Sequence, residues 1–269
     1  MVNDEWAQFF KAHNFKVGVS LDGGQESHNL FRKNHGGKGS FDHAMRGIKI
    51  LRRYGIEPGI IQTLTRANIS RVQEDFNFFV NVLGIHAWGT NFYLDLDNIN
   101  QLMLDQNLTN CQLADFLRKQ IDLWLVRNDR TLRIREIENF ISGVFNKKTP
   151  SCAFSGSCSK YFCLEYDGKI YPCDRSSGKS DLLLGDFSRQ SLQDVFNSVS
   201  KLNYDKQINN LPSECSICEW LKFCNNGCVM NREGGIGGKY YYCEMRKEIF
   251  AYLKEKVGEY NRSLITQTA

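Results

Sequence analysis

The stretch CSICEWLKFCNNGC, residues 215–228, spaces its cysteines as C-x2-C-x5-C-x3-C. Four soft ligands this close together make a disulfide knot, a zinc site or an iron–sulfur site, and the choice decides how the second half of the chain folds. Redox compartment is the first discriminator. The start, MVNDEWAQFF, has neither a basic n-region nor an apolar h-region, so no signal peptide is expected and the chain is expected in the cytoplasm. Reducing compartments disfavour structural disulfides, and clustered thiols there bind metal or do redox chemistry.

Ten cysteines are present, and nine follow residue 150: Cys152, Cys158, Cys163, Cys173, Cys215, Cys218, Cys224, Cys228 and Cys243. Cys111 stands apart on an expected helix, where a buried inert thiol is expected. Zinc ribbons use two C-x2-C knuckles, because each tight turn presents two sulfurs to one tetrahedral ion. Here there is one such knuckle, followed by x5 and x3 gaps and distant single cysteines. That irregularity favours cubane 4Fe–4S clusters, whose larger core takes ligands from several segments. No histidine completes a site nearby, since His13, His28, His35, His43 and His86 all lie in the first half. Cys163, inside YFCLEY, is expected as a core thiol. The other eight suffice for two four-ligand sites.

Composition narrows the partners. Lys and Arg number 34 against 30 Asp and Glu, and this balance gives no polyanion-binding surface, so no nucleic-acid partner is expected. There is no apolar run of about 18 or more residues, so no membrane span is expected. A length of 269 residues, 42% of them hydrophobic, suits one large or two medium domains.

The first half alternates helix and strand. Asn3 is positioned to cap a helix that carries Asp4 and Glu5 in its first turn. Strands are expected at Lys16–Leu21, in GIIQTLTR and in AWGTNFYLDL. Helices are expected in SFDHAMRGIKILRRYGI, with Ser40 or Asp42 at its cap and Gly55 at its end, and in NISRVQEDFNFFVNVLGI, capped by Asn68. Such alternation means βαβ units and a parallel sheet. From Asp97 to Lys147 the pattern is helical, most clearly in CQLADFLRKQIDLWLVRN. A boundary is expected around Pro150, dividing the chain into 1–148 and 149–269. Beyond it come a hairpin turning at Asp167-Gly168, a short helix near Leu192–Val199, the cysteine knot, and a last helix from about Tyr242 to Tyr260.

The order C-x9–15-G-x4-C, then C-x2-C-x5-C-x3-C, then a late cysteine, resembles the SPASM domain, which carries two auxiliary 4Fe–4S clusters in many radical SAM enzymes. Here it runs through Cys158, Gly168 and Cys173, the knot, and Cys243. The first half adds to this: VGVSLDGGQESHNLFRKNHGGKGSFDHAMRGIKIL resembles the central barrel segment of anaerobic sulfatase-maturating enzymes. The resemblance implies an α/β fold, a partial (β/α) TIM-like radical SAM barrel followed by a cysteine-rich SPASM domain. It implies one cluster on Cys152, Cys158, Cys173 and Cys228, and a second on Cys215, Cys218, Cys224 and Cys243. Trp220 and Phe223 would wrap apolar surface around the knot.

The resemblance also assigns Asp174, which follows Cys173, as the general base that deprotonates a substrate Cys or Ser while the adjacent carbon is oxidised. From the residue alone, Asp174 reads as a turn residue or helix cap. Ser20 and Arg32 match positions that bind S-adenosyl-L-methionine in the complete family enzyme, which oxidises Cys or Ser to formylglycine. A protein or peptide substrate with a sulfatase-like Cys/Ser motif is implied, with an electron donor such as flavodoxin or ferredoxin.

Radical SAM chemistry requires a C-x3-C-x2-C loop, and none occurs here; the first cysteine is Cys111. The family's barrel has six strands, and those found resemble its fourth to sixth. This polypeptide alone is therefore expected to lack radical chemistry. RSSGKS after Asp174 is more charged than sulfatase maturases carry, which leaves a ribosomal-peptide maturase as the alternative. A non-catalytic iron–sulfur or zinc module that binds peptide or relays electrons is the alternative from another class.

Overall fold

The computed structural model describes residues 2–96, 103, 105–149 and 151–267, with side chains as far as Glu259. Two compact units divide the chain, Met1–Phe140 and Ile141–Ala269.

The first unit is a four-stranded parallel sheet with helices. Helix α1 (Asp4–Ala12) begins where expected, because the Asn3 side chain accepts the Trp6 N–H. Strand β1 (Gly18–Ser20) leads through a glycine turn into α2 (Gln25–Phe31), then α3 (Phe41–Arg53), β2 (Gly59–Leu64), α4 (Val72–Asn77), β3 (Ala87–Phe92), α5 (Asn110–Arg127), β4 (Arg133–Ile134) and the start of α6 (Arg135–Val144), within which the unit boundary falls. The strand order is β1-β2-β3-β4, and every pair is parallel. Alternation along β2 buries Ile60, Gln62 and Leu64, and Leu21, Ile48, Leu51 and Phe79 are likewise almost wholly removed from water. Each such apolar side chain contributes on the order of 1.5–3 kcal/mol.

Several expectations change. The strand expected at Lys16–Leu21 is limited to Gly18–Ser20, and α2 was not foreseen. Asn68 caps no helix. Its buried amide accepts from the Thr65 N–H at 2.8 Å and donates to the Thr63 carbonyl at 3.0 Å, which ties the end of β2. The single helix expected after it is a 3-10 turn (Ile69–Arg71), α4, and a π turn (Phe78–Val82). A fourth strand, β4, lies inside the stretch read as helical; at two residues it is too short to leave a periodic signature. Of that stretch, residues 97–102 and 104 lie outside the described residues, as does Pro150.

The second unit is built of small pieces. Helix α7 (Cys152–Ser155) precedes a three-stranded antiparallel sheet of β5 (Cys163–Leu164), β6 (Lys169–Tyr171) and β7 (Gly185–Asp186). The hairpin turns where expected, with Gly168 at φ +85°. Then come α8 (Leu192–Phe196), α9 (Val199–Asn209), which was not foreseen, α10 (Ser213–Ser216) and α11 (Leu221–Cys224). The pair β8 (Arg232–Glu233) and β9 (Lys239–Tyr240) and the long α12 (Cys243–Gln267) follow. An apolar cluster of Ile170, Leu182, Leu184, Val195, Tyr204, Ile208 and Val229 packs beneath the sheet, with Cys158 against it.

Candidate metal centres

The knot folds as it does because its x3 gap is Asn225-Asn226-Gly227, three consecutive residues with positive φ (47°, 53° and 59°). Asparagine and glycine are the residues that tolerate this conformation. A Cβ on Gly227 would stand 2.3 Å from the Tyr240 ring. The Asn225 amide donates to the Phe154 carbonyl, while buried Asn226 accepts from the Tyr240 N–H and donates to the Gly238 carbonyl. The reversal sends Cys224 and Cys228 to different neighbourhoods.

Cys152 feels the charges of Cys228 and Cys173, and Cys158 those of Cys228 and Cys152. Burial, then Cys228 and Cys173, push the Cys152 thiol up; burial, then Cys228, push Cys158 up to about 11. Buried Tyr204 is raised by burial and by Cys158, Cys173 and Cys228 together. Cys215, Cys218, Cys224 and Cys243 line one cavity with Trp220, Tyr240, Lys239 and Arg246. Burial, then Cys224 and Cys218, raise Cys215. Burial is the main cause that takes Cys243 up to about 11. All ten cysteines are free thiols, and among the described residues no three Cys, His, Asp or Glu converge on a single-ion site.

Cations and N–H groups surround these sulfurs. The Arg175 Nη1 donates to Cys228 Sγ at 3.2 Å, Arg246 Nη1 donates to Cys224 Sγ at 3.4 Å, and the Val229 N–H serves Cys158. Arg232, buried, gives its donors to the carbonyls of Asn226, Ile208 and Ile236, and the charges it feels are Cys158, Cys228, Tyr204 and Cys215. Neither Arg232 nor Arg246 has a carboxylate partner among the described residues. Buried cations without counter-ions are costly. Two sets of four thiols ringed by arginines therefore fit anionic thiolate-bound iron–sulfur clusters, in which N–H···S bonds are a normal tuning device.

Two lone thiols do not lie where the sequence put them. Cys111 is exposed, because it faces away from the α5 side that buries Leu113, Leu117 and Ile121. Cys163 is half-buried at the sheet's edge rather than in the core, and its thiol donates to Glu165 Oε1 at 3.4 Å. Asp174, itself exposed, opens a 3-10 turn (Asp174–Ser176) whose Ser176 is buried, and its charge acts on Cys163. Ser177 Oγ donates to Glu165, closing this corner. Trp220 lines the second cavity and stacks on fully buried Phe250 at 5.0 Å; Phe223 lies 6.2 Å from the same ring.

In the first unit Ser20 ends β1 and is exposed. Arg32 gives Nε and Nη2 to the buried Asp22 carboxylate at 2.6 and 3.0 Å, and Nη2 also reaches Thr63 Oγ1. Asp22 accepts the Thr63 N–H too, at 2.7 Å. Beneath the turn, His28 accepts the Asp22 N–H through Nδ1, so Nε2–H donates to Ser40 Oγ, which donates to the Arg32 carbonyl. Burial holds His28 below its usual pKa. Asp75 of α4 accepts from the Gly24 N–H and Ser27 Oγ, and burial pushes it up to about 6.

The sequence reading missed Arg175, Arg232, Arg246 and Asp75. For Arg246 the available signal was its position one helical turn after Cys243; the others become visible only through long-range contacts.

Residues 152–219 match the SPASM model, described as an iron–sulfur cluster-binding domain. A cysteine-type anaerobic sulfatase-maturating enzyme of Clostridium novyi (strain NT) is 31% identical over 256 residues, covering 93% of this chain and 67% of that protein. This chain belongs to the anaerobic sulfatase-maturating enzyme family. A serine-type sulfatase-maturating enzyme of Bacteroides thetaiotaomicron is 25% identical, over 100% of this chain and 69% of its own length. The solved structure of native anSMEcpe with bound AdoMet superposes with a TM-score of 0.86 at 25% identity, over 98% of this chain and 73% of that one. The chain thus spans about two thirds to three quarters of these relatives. Its fold is that of the radical SAM/SPASM enzymes. Among the described residues no helix is long and apolar enough to cross a membrane.

Proposed function

We propose that this chain holds two 4Fe–4S clusters and handles the substrate in oxidising a Cys or Ser of a protein or peptide to formylglycine. The observation that carries the reading is the pairing of two four-thiol sets, one of which includes Cys173 and adjoins exposed Asp174. The first set, Cys152, Cys158, Cys173 and Cys228, would hold one cluster, and Cys215, Cys218, Cys224 and Cys243 the other. The higher identity to the cysteine-type relative, 31% against 25% for the serine type, favours a cysteine substrate.

Asp174 is the general base. Once the radical that S-adenosyl-L-methionine would supply has removed one hydrogen atom from the adjacent carbon, the exposed Asp174 carboxylate takes the proton from the substrate Sγ–H or Oγ–H. The freed lone pair forms the carbon–heteroatom double bond as that carbon gives up its remaining unpaired electron; from Ser this is the aldehyde, and from Cys water then replaces sulfur with release of sulfide. The clusters, when bound, supply the acceptor for that electron, and a carrier such as flavodoxin or ferredoxin exchanges it with solution. Ser20 and Arg32 would hold S-adenosyl-L-methionine; with Nε and Nη2 committed to Asp22 and Thr63, Arg32 would offer Nη1 to the methionyl carboxylate. These 269 residues hold no C-x3-C-x2-C. Cleavage of that cofactor is therefore assigned to a polypeptide segment that carries the motif.

The test mixes the anaerobically reconstituted chain with a family barrel segment bearing C-x3-C-x2-C, S-adenosyl-L-methionine, reductant and a cysteine peptide. Formylglycine should form. Asp174→Asn should lower the rate roughly 100- to 10,000-fold with iron content unchanged. No product from a fully loaded mixture, or an active Asp174→Asn variant, sinks the reading.

A further inference from the structure

Arg246 lies on α12 with 2% of its surface exposed. Its guanidinium carbon sits 3.8 Å from the Phe154 ring centroid and 4.3 Å from that of Tyr240, between the two rings. Nη1 donates to the Cys224 carbonyl at 2.9 Å and to Cys224 Sγ at 3.4 Å. The Nε atom is buried and has no hydrogen-bond partner. The groups beside this cation that can carry negative charge as cluster ligands are Cys224 and Cys228. Cys224 belongs to one thiol set and Cys228 to the other. A permanent cation buried with no carboxylate and an unsatisfied donor is a poor structural element unless anions stand on both sides of it.

We propose that Arg246 is the shared counter-ion of the two clusters and a positioning residue for electron transfer, holding the potential of the cluster on Cys215, Cys218, Cys224 and Cys243 above the value it would have without this charge. The inference rests on the two-cluster reading above. A nearby cation stabilises the more negative, reduced cluster over the oxidised one, and an N–H···S bond to a ligand sulfur acts in the same sense. Arg246 makes that bond to Cys224 and touches no sulfur of the first set, so the second cluster feels it more. One electron passing from the first cluster to the second oxidises the one and reduces the other; the Arg246 charge favours that direction.

The experiment is an EPR-monitored redox titration of the reconstituted chain and of Arg246→Gln, Arg246→Lys and Lys247→Ala, with iron and acid-labile sulfide measured in each. In Arg246→Gln the second cluster's oxidised-to-reduced ratio at fixed potential should rise at least tenfold, a downward shift of about 59 mV, and the first cluster should move less. Arg246→Lys, which keeps the charge but not the planar stack, should stay within threefold of the native ratio. Lys247→Ala, which removes a half-exposed cation that lines the same cavity and acts on Cys243, should shift the second cluster less than Arg246→Gln does. Unchanged potentials in fully loaded Arg246→Gln overturn the inference, as does a larger shift in the first cluster. If Arg246→Gln fails to load, Arg246→Lys decides: a tenfold change there assigns the residue to packing and overturns the charge role. A native chain that binds no cluster at all contradicts the proposed function instead.

Discussion

The two units obtain their order in different ways. Residues 1–140 bury Leu21, Ile48, Leu51, Ile60, Leu64 and Phe79 around a parallel sheet. Residues 141–269 have strands of two or three residues and several helices of four or five. Beside the apolar cluster around Ile170, Val195 and Tyr204, their long-range order runs through asparagine side chains and buried arginines. Apolar burial closes the first unit. The second holds nine free thiols and, in Arg232 and Arg246, two buried cations without a carboxylate partner among the described residues.

Metal removal separates the units most sharply. Structural zinc peptides gain on the order of 10–16 kcal/mol from their metal, and cluster loss should act on the second unit at that scale. Hydrogen exchange after iron chelation should show residues around α11, β8 and β9 losing protection while β2 and β3 keep theirs. Equal loss in both units would erase the distinction.

The converse perturbation is Leu51→Ala, which opens a cavity in the first core and should cost about 2–5 kcal/mol. Urea denaturation should register it in the first unit, with iron content unaffected.

A pH effect of similar size belongs to the first unit alone. Folding raises Asp75 from 3.8 to about 6, so its contribution favours folding below the unfolded value and is lost as pH rises through 6. The change is about 3 kcal/mol at most between roughly pH 4 and 7. Asp75→Asn, which keeps an acceptor for the Gly24 N–H, should flatten the pH dependence relative to the native chain. Parallel pH profiles for the two proteins would refute the assignment.

Asn3→Ala removes the α1 cap, a local effect worth about 1 kcal/mol, and a small drop in the thermal midpoint should reveal it.

How much of this was readable in the sequence follows the range of the interaction that fixes each feature. The Asn3 cap, the turn at Gly168 and the βαβ alternation depend on neighbours a few residues away, and all are where the sequence put them. Strand β4 depends on pairing between Ala87 and Arg133, far apart in the chain, and two residues cannot advertise it. Burial of a lone thiol is likewise tertiary. Cys111 turned out exposed and Cys163 half-exposed because the side of their element that faces the core is set elsewhere. The cysteine spacing carried the SPASM resemblance, but the arginines carry no motif. Arg175 reaches Cys228 across 53 residues and Arg246 reaches Cys224 across 22, contacts that only the folded chain brings about.

The central claim is that the knot's Asn225-Asn226-Gly227 reversal gives Cys224 and Cys228 to different clusters. Iron, acid-labile sulfide and zinc per chain, with EPR of the reduced protein, should be measured for the native chain, Cys224→Ala and Cys228→Ala after anaerobic reconstitution. The account predicts about eight irons and eight sulfides in the native chain, about half of each in either variant, and a different signal surviving in each. The same signal lost from both variants, or stoichiometric zinc without sulfide in the native chain, would contradict it.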